Sequence, residues 1–232
     1  VVLGDKTTMQ TALILHHYPF QEDSVLLKVF TGDGILVPVI ARGAKRPRSQ
    51  WRSVIRPFVL SQLHFSGKGE VKSLKQCESE HAFDFSPAAL PCGFYLNELL
   101  LYFLRQNDAH PDLFVCYTQA LAALEEGDIE VALRTFELKL LAALGFGVPL
   151  HHDAAHALIE AEGFYRMVPG HLPERVATLS GRGICAGRSL LAMAKFEWTD
   201  KAVRTDAKRL MRAWIHFYMD GKVLKSKKLL MS

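Results

Sequence analysis

The stretch FTGDGILVPVIARGAKRPRSQWRSVIRPFVLSQLHF, Phe30 to Phe65, decides how the first third of the chain folds. It opens on Gly32-Asp33-Gly34, a turn signal between the apolar runs SVLLKVFT and ILVPVIA, and this predicts a β-hairpin. In the first run Val25, Leu27 and Val29 share one face and Lys28 takes the other, as a period of two requires. In the second, Pro38 removes a ladder donor, which predicts a bulged or edge strand. Downstream, PFVLSQLHF and GEVKSLKQCE flank Ser66-Gly67-Lys68-Gly69, a second hairpin turn. Upstream, TALILHHY alternates Leu13, Leu15 and His17 against Ala12, Ile14 and His16.

Five short strands in about 75 residues would leave exposed edges as an open sheet, so a small closed or nearly closed barrel is expected. An OB-fold is the leading candidate. Between its third and fourth strands lies RGAKRPRSQWRSVIR, too charged and too broken by glycine and proline to be barrel wall. Residues 34–69 hold no acid and seven bases: Arg42, Lys45, Arg46, Arg48, Arg52, Arg56 and Lys68. Uncompensated like charge of this kind suits a polyanion, because each contacted phosphate releases counterions. The plainer alternative is a loop kept basic for solubility.

The net charge of +4 conceals segregation. Residues 1–80 carry +4, residues 81–200 carry −7, and residues 201–232 carry +7. After Ser86-Pro87 the apolar period becomes helical. CGFYLNELLLYFLRQ spaces Phe94, Leu96, Leu99, Leu100 and Phe103 at threes and fours, and PDLFVCYTQALAALEE places Pro111 in a first turn. Asp128 is expected to cap IEVALRTFELKLLAALGFG, with Gly145 and Gly147 ending it. Residues 148–186 lose periodicity and read as an irregular insert; RSLLAMAKF follows as a short helix. The expected organisation is therefore β then α: a barrel over residues 1–82 and an all-helical domain over 83–232.

The last helix, capped by Asp200 and ended by Gly221, spans about residues 200–220. Val203, Ala207, Leu210, Trp214 and Phe217 form its expected buried stripe. Lys201, Arg204, Lys208, Arg212 and His216 recur at threes and fours on another face, where like charges repel by a few tenths of a kcal/mol per pair, roughly. A phosphate backbone would explain the stripe; so would a merely solvated face. Lys222, Lys225, Lys227 and Lys228 continue the basic run.

Enzymatic patterns are absent from the sequence. Gly67-Lys68-Gly69 is hairpin and not a phosphate loop, and neither G-x-S-x-G nor H-E-x-x-H occurs. His151, His152, His156 and Cys185 are a weak metal signal, with His152 and His156 expected on one helix face; exposed loop histidines are the alternative. Glu125-Glu126 and Glu160 with Glu162 read as solvated surface. Four dispersed cysteines without C-x-x-C speak against a disulfide scaffold. The longest uncharged stretch, Thr7 to Gln21, is 15 residues, too short for a membrane span, and no secretory signal pattern is present. A soluble protein of a reducing compartment, neither enzyme nor membrane protein and without a cofactor, is expected.

FTGDGILVPVIARGAKRPRS, PFVLSQLHFSGKGEVKSLKQCE, YLNELLLYFL, LRTFELKLLAALGFG and GKVLKSKKLL, in this order from about residue 10 to 230, resemble the landmarks of the RecO recombination-mediator family. The resemblance implies an N-terminal OB-fold and a helical domain. It implies binding of single- and double-stranded DNA, annealing of complementary strands, and action with RecR to load recombinase onto strands coated by single-strand DNA-binding protein. It also implies a cytoplasmic, nucleoid-associated location. A generic OB-fold binder of single-stranded nucleic acid, without mediator activity, is the alternative.

Three sites follow from the resemblance. In the barrel loop, Arg42, Lys45, Arg46, Arg48 and Arg52 would contact phosphates, while Trp51 would either stack a base or fold onto the barrel. In LRTFELKLLAALGFG, Arg134 would pair with carboxylates of the single-strand binding protein's acidic tail beside Leu138 and Leu141, unless those leucines are inter-helix core. The basic helix, through Lys201, Arg204, Lys208 and Arg212, would be a second DNA track. Some family members hold zinc with four cysteines in the insert, where this chain has only Cys185, so structural zinc is not expected.

Overall fold

The computed structural model describes residues 9–51, 54–222 and 224–228; Arg52 lies outside them. The chain forms two compact units, Val1–Gly127 with Leu224–Ser232, and Asp128–Val223.

In the first unit β1 (Gln10–Phe20), β2 (Ser24–Thr31), β3 (Leu36–Ala41), β4 (Val59–Ser66) and β5 (Lys72–Ala82) close a barrel in the order β1-β2-β3-β5-β4. Both expected hairpins are present as antiparallel pairs, β2 with β3 and β4 with β5. A short parallel seam, Val39 to Lys72 and Ile40 to Ser73, completes the closure. Of the two expectations for Pro38, the bulge is corrected and the edge holds locally. The strand is not bulged, since its ladder with β2 runs without a register shift, and it has a second neighbour only from Val39 on, so Pro38 itself stands at a locally open edge. Pro38 is tolerated because it stands one residue before that two-residue seam begins.

Ala12, Ile14, Leu27, Val29, Val39 and Leu63 belong to the apolar cluster of the barrel. Leu13 and Leu15, on the opposite face of β1, are buried too. Two helices, α1 (Leu90–Phe103) and α2 (Pro111–Glu125), pack in this unit and account for that second buried face. Phe30 of β2 meets Phe114 with ring centroids 5.4 Å apart. Asn97 donates from Nδ2 to the Leu15 carbonyl at 2.8 Å and accepts from the Tyr117 hydroxyl. Burial pushes the Tyr117 phenol above its ordinary range. Gly34 is required at its turn: φ is +75°, and a Cβ there would lie 2.0 Å from the His110 carbonyl carbon. A final 3-10 turn, Lys225–Lys228, is seated on α1 by Glu98, whose carboxylate accepts the backbone N–H groups of Lys225 (2.7 Å) and Ser226 (2.9 Å) and the Ser226 hydroxyl (2.6 Å).

The second unit holds α3 (Ile129–Ala143), α4 (Gly187–Ala194) and α5 (Lys201–Tyr218). Asp128 occupies the N-cap position of α3, but its side chain makes no capping bond. The other end closes in a Schellman motif: Phe146 N–H reaches the Leu141 carbonyl, Gly145 N–H the Ala142 carbonyl, and Gly145 has φ +79°. The insert contains a small antiparallel sheet, β7-β6-β8, from β6 (Phe164–Arg166), β7 (Glu174–Val176) and β8 (Ile184–Ala186). Strands of three residues are too short to show a period. Asp200 caps α5 as expected, accepting the Ala202 N–H at 2.7 Å. Val203, Ala207, Leu210 and Trp214 are buried, joined by Met211 and Ile215. Phe217 is a correction: it is 55% exposed, because towards its end the helix buries the face of Met211, Ile215 and Met219, and Phe217 lies off that face.

Candidate nucleic-acid interface

The barrel loop is pinned from below and charged above. Ala44 and Trp51 belong to the barrel's apolar cluster, and the Trp51 indole Nε1 donates to the Arg42 carbonyl at 3.1 Å. Tight turns between the pins, Arg46 N–H to the Gly43 carbonyl and Ser49 N–H to the Arg46 carbonyl, hold the segment compact. Arg42, Lys45, Arg46 and Arg48 are thereby left exposed. Trp51 is only 9% exposed, so of its two readings the geometry takes the ring folded onto the barrel, and base stacking by this indole is set aside.

The four cations are not equivalent. Lys45 donates from Nζ to the Gln21 carbonyl at 2.9 Å, and its backbone N–H reaches the Asp23 carbonyl. Arg46 donates from Nε to Asp23 Oδ2 at 2.7 Å. That bond, with a second from Ser24, holds the Asp23 carboxyl below its ordinary value. The turn between β1 and β2 thus fastens the middle of the loop. Arg42 and Arg48 make no side-chain hydrogen bond or ion pair among the described residues, and they are the groups ready to meet phosphate. The role of Asp23 was not legible because partner and loop lie about 23 residues apart. Beside the loop, Gln50 and Trp51 share a shallow cleft with Lys75, Gln76, Cys77 and Glu78 of β5.

On α5, Lys201, Lys208 and Arg212 are exposed, while Arg204 is half-buried. Arg204 donates to the Thr199 carbonyl at 3.0 Å and also to that of Trp198. Glu130 of α3 sits between Arg204 Nε and Lys208 Nζ, 3.5 Å from each. The like-charged stripe is therefore partly neutralised within its own unit, and Lys201 and Arg212 are its unengaged members. Beyond them Phe146 stacks on Tyr218 with centroids 4.5 Å apart, beside the exposed Phe217.

The expected tail-docking residues are corrected. Arg134 is buried and donates from Nη2 to Glu137 Oε1 at 2.9 Å, while Nη1 makes no hydrogen bond among the described residues. Leu138 is buried and Leu141 is 0% exposed. These three side chains are buried and offer no surface to a peptide. The periodicity of the helix marks them as apolar-face residues but not which face a neighbour covers.

The histidine cluster also resolves. His152 to His156 is loop and not helix, closed by a bridge between His152 and Leu158. Among the described residues no three His, Cys, Asp or Glu side chains are grouped to hold a metal ion. Cys185 is buried, which pushes its thiol up to about 11. Glu125 is structural: it accepts the Asp84 N–H at 2.7 Å and lies 3.3 Å from His81. No helix among the described residues is long and apolar enough to cross a membrane.

Two family models cover nearly the whole chain: "Recombination protein O N terminal" matches residues 6–83 and "Recombination protein O C terminal" residues 84–228. Among curated relatives, "DNA repair protein RecO" of Dechloromonas aromatica is 38% identical over 233 residues, covering 98% of this chain and 96% of the relative. The proteins of the same name from Alkalilimnicola ehrlichii and Stutzerimonas stutzeri are 38% and 39% identical, covering 97% and 96% of this chain and 92% and 93% of theirs. The strand-to-helix change marks the junction of the two family models, whereas the compact units divide after Gly127.

Proposed function

The chain belongs to the recombination protein O (RecO) family of DNA repair proteins, and from that premise we propose that it is a non-catalytic recombination mediator. It binds single- and double-stranded DNA, anneals complementary strands, and acts with RecR to load recombinase onto strands coated by single-strand DNA-binding protein, in the cytoplasm at the nucleoid. The observation that carries this reading is the acid-free loop pinned by Ala44 and Trp51 to a closed barrel, with Arg42 and Arg48 unengaged. Phosphate contact from such a loop gives affinity with little sequence preference, which suits a protein that must act on any strand. Lys201 and Arg212 offer a second basic surface in the other unit. With each strand's charge screened on protein, complementary bases can meet. The roles of Arg42, Lys45, Arg46, Arg48, Lys201, Arg204, Lys208 and Arg212 are part of this proposal.

The test is annealing of complementary strands pre-coated with single-strand binding protein, comparing the wild type with an Arg42→Ala, Arg48→Ala variant. Rapid annealing lost in the variant supports the mediator reading and places DNA at the loop. Annealing that survives moves the main contact to α5. Strand binding without annealing would reduce the protein to a single-stranded nucleic-acid binder.

A further inference from the structure

We infer that the outer face of β1 beyond its bulge, bearing His16 and Tyr18, is a base-stacking platform for single-stranded DNA. This rests on the DNA-binding reading above and adds a second contact, distinct from the basic loop, to the barrel unit.

The platform begins where the barrel wall is interrupted. Ile14 lies opposite Val29 and His16 opposite Lys28, so Leu15 is an extra residue, a β-bulge. β4 pairs with β1 only across Gln10–Leu13. Among the described residues, β1 from His16 onward therefore has an unpaired edge and is held in the ladder through β2 alone. His16, His17 and Tyr18 are all exposed, Tyr18 at 43%. Among the described residues the three rings meet one another but none is covered by the core. Two residues apart, His16 and Tyr18 share a face of the strand, and their centroids are 4.4 Å apart with the rings edge to face at 71°. Each ring braces the other, so little freedom is left to lose when a base settles on them.

Cations flank the rings. Lys28, directly across from His16 in the ladder, shares its face. Lys225 is carried there by the Glu98 clasp on the 3-10 turn, and its charge is felt at His16 ahead of the opposite charge of Glu98. Burial, then the neighbouring His17 and Lys225, lower the His16 imidazole from its ordinary 6.5, against the opposing pull of the Glu98 carboxylate. Aromatic faces between positive charges match a base between phosphates. A duplex keeps its base faces stacked inside and presents only edges and backbone, so the platform selects single strands. An extended peptide pairing with the unpaired edge is the rival occupant; it would use backbone N–H and C=O groups and leave the rings idle.

The full chain irradiated with an oligo-dT carrying 5-iododeoxyuridine should cross-link through the segment containing His16 and Tyr18, as read by peptide mass spectrometry. A His16→Ala, Tyr18→Ala variant should bind oligo-dT at least about tenfold more weakly, with duplex affinity and the salt slope unchanged. Tyr18→Phe, which keeps the ring, should bind as the wild type does. Cross-links confined to other segments, oligo-dT affinity retained in the double variant, or an equal loss on duplex would each overturn the platform. If the wild type bound neither form of DNA, the DNA-binding reading would fail first and this site with it. A double loss from Arg42→Ala, Arg48→Ala on both forms of DNA keeps the two contacts distinguishable.

Discussion

The Trp51 indole donates to the Arg42 carbonyl at 3.1 Å, so an aromatic ring within the most basic stretch of the chain serves as the base of a loop instead of its tip. Ring burial and the closing bond can be separated by substitution. Trp51→Phe keeps most of the apolar contact and removes the donor, which should cost about 1 kcal/mol of stability. Trp51→Ala leaves a cavity and should cost roughly 3–5 kcal/mol. Urea unfolding checks both. Because the indole faces the barrel, the change in tryptophan fluorescence on adding single strands should be the same in Trp51→Phe as in the wild type.

On the DNA-binding proposal, Asp23 would compete with phosphate for Arg46. Its carboxyl is held ionised by the guanidinium, at 2.7 Å from Nε, and the pair is exposed to water. Asp23→Asn removes one negative charge beside the loop and frees Arg46. Single-strand affinity should rise, and the plot of log affinity against log salt should steepen by about 0.7 if Arg46 gains a phosphate. Arg48→Ala should flatten the same slope by a similar amount. Fluorescence anisotropy at several salt concentrations measures both, and an unchanged slope in Asp23→Asn would leave Arg46 outside the contact.

The barrel was legible because its signals are local. Two glycine turns and a period of two mark four of the five strands, and closure follows from the cost of open edges. The loop was legible as charge, but not the division of labour within it. Lys45 and Arg46 are tied down by Gln21 and Asp23, contacts made across the turn between β1 and β2. Arg134, Leu138 and Leu141 show the opposite limit. Their helical spacing is correct, yet burial of both α3 faces depends on neighbours distant in sequence. The three-residue strands of the insert fall below any period. Phe217 keeps the spacing of Val203, Leu210 and Trp214, but near the helix end the buried face has moved to Met211, Ile215 and Met219.

Glu130 makes the corresponding prediction for α5. It stands 3.5 Å from both Arg204 and Lys208, in pairs exposed enough to contribute about 0–1 kcal/mol each to stability. Glu130→Gln should leave the unfolding midpoint nearly unchanged while freeing two cations on the helix. If α5 carries DNA, affinity should increase and the salt slope should steepen. A neutral outcome in anisotropy would assign the stripe to solvation alone.

Acid should act on the first unit through Glu125. The Asp84 N–H donating to it, and then His81, hold this carboxyl below its ordinary 4.5. A depressed folded value means that the contribution is fully present above 4.5 and is lost as pH falls through the lower folded value. Urea midpoints of the wild type should therefore decline below about pH 4.5 more steeply than those of Glu125→Gln, which cannot titrate. At pH 7 the variant should be slightly less stable, since an amide oxygen is a weaker acceptor than a carboxylate.

Asn97 couples the helices to the bulge that sets His16 and Tyr18. Its Nδ2 donates to the Leu15 carbonyl at 2.8 Å, and its Oδ1 accepts from Tyr117, all three groups being buried. Leu15 is the bulged residue, so this one side chain fixes the strand where its pairing with β4 has ended. Asn97→Ala withdraws a donor from a buried carbonyl and an acceptor from a buried hydroxyl, and should destabilise the unit by about 3 kcal/mol. Hydrogen exchange should then speed up first at the amides of residues 15–20, before the rest of the barrel. Uniform acceleration across all five strands would show instead that Asn97 supports the unit as a whole and does not pin the bulge in particular.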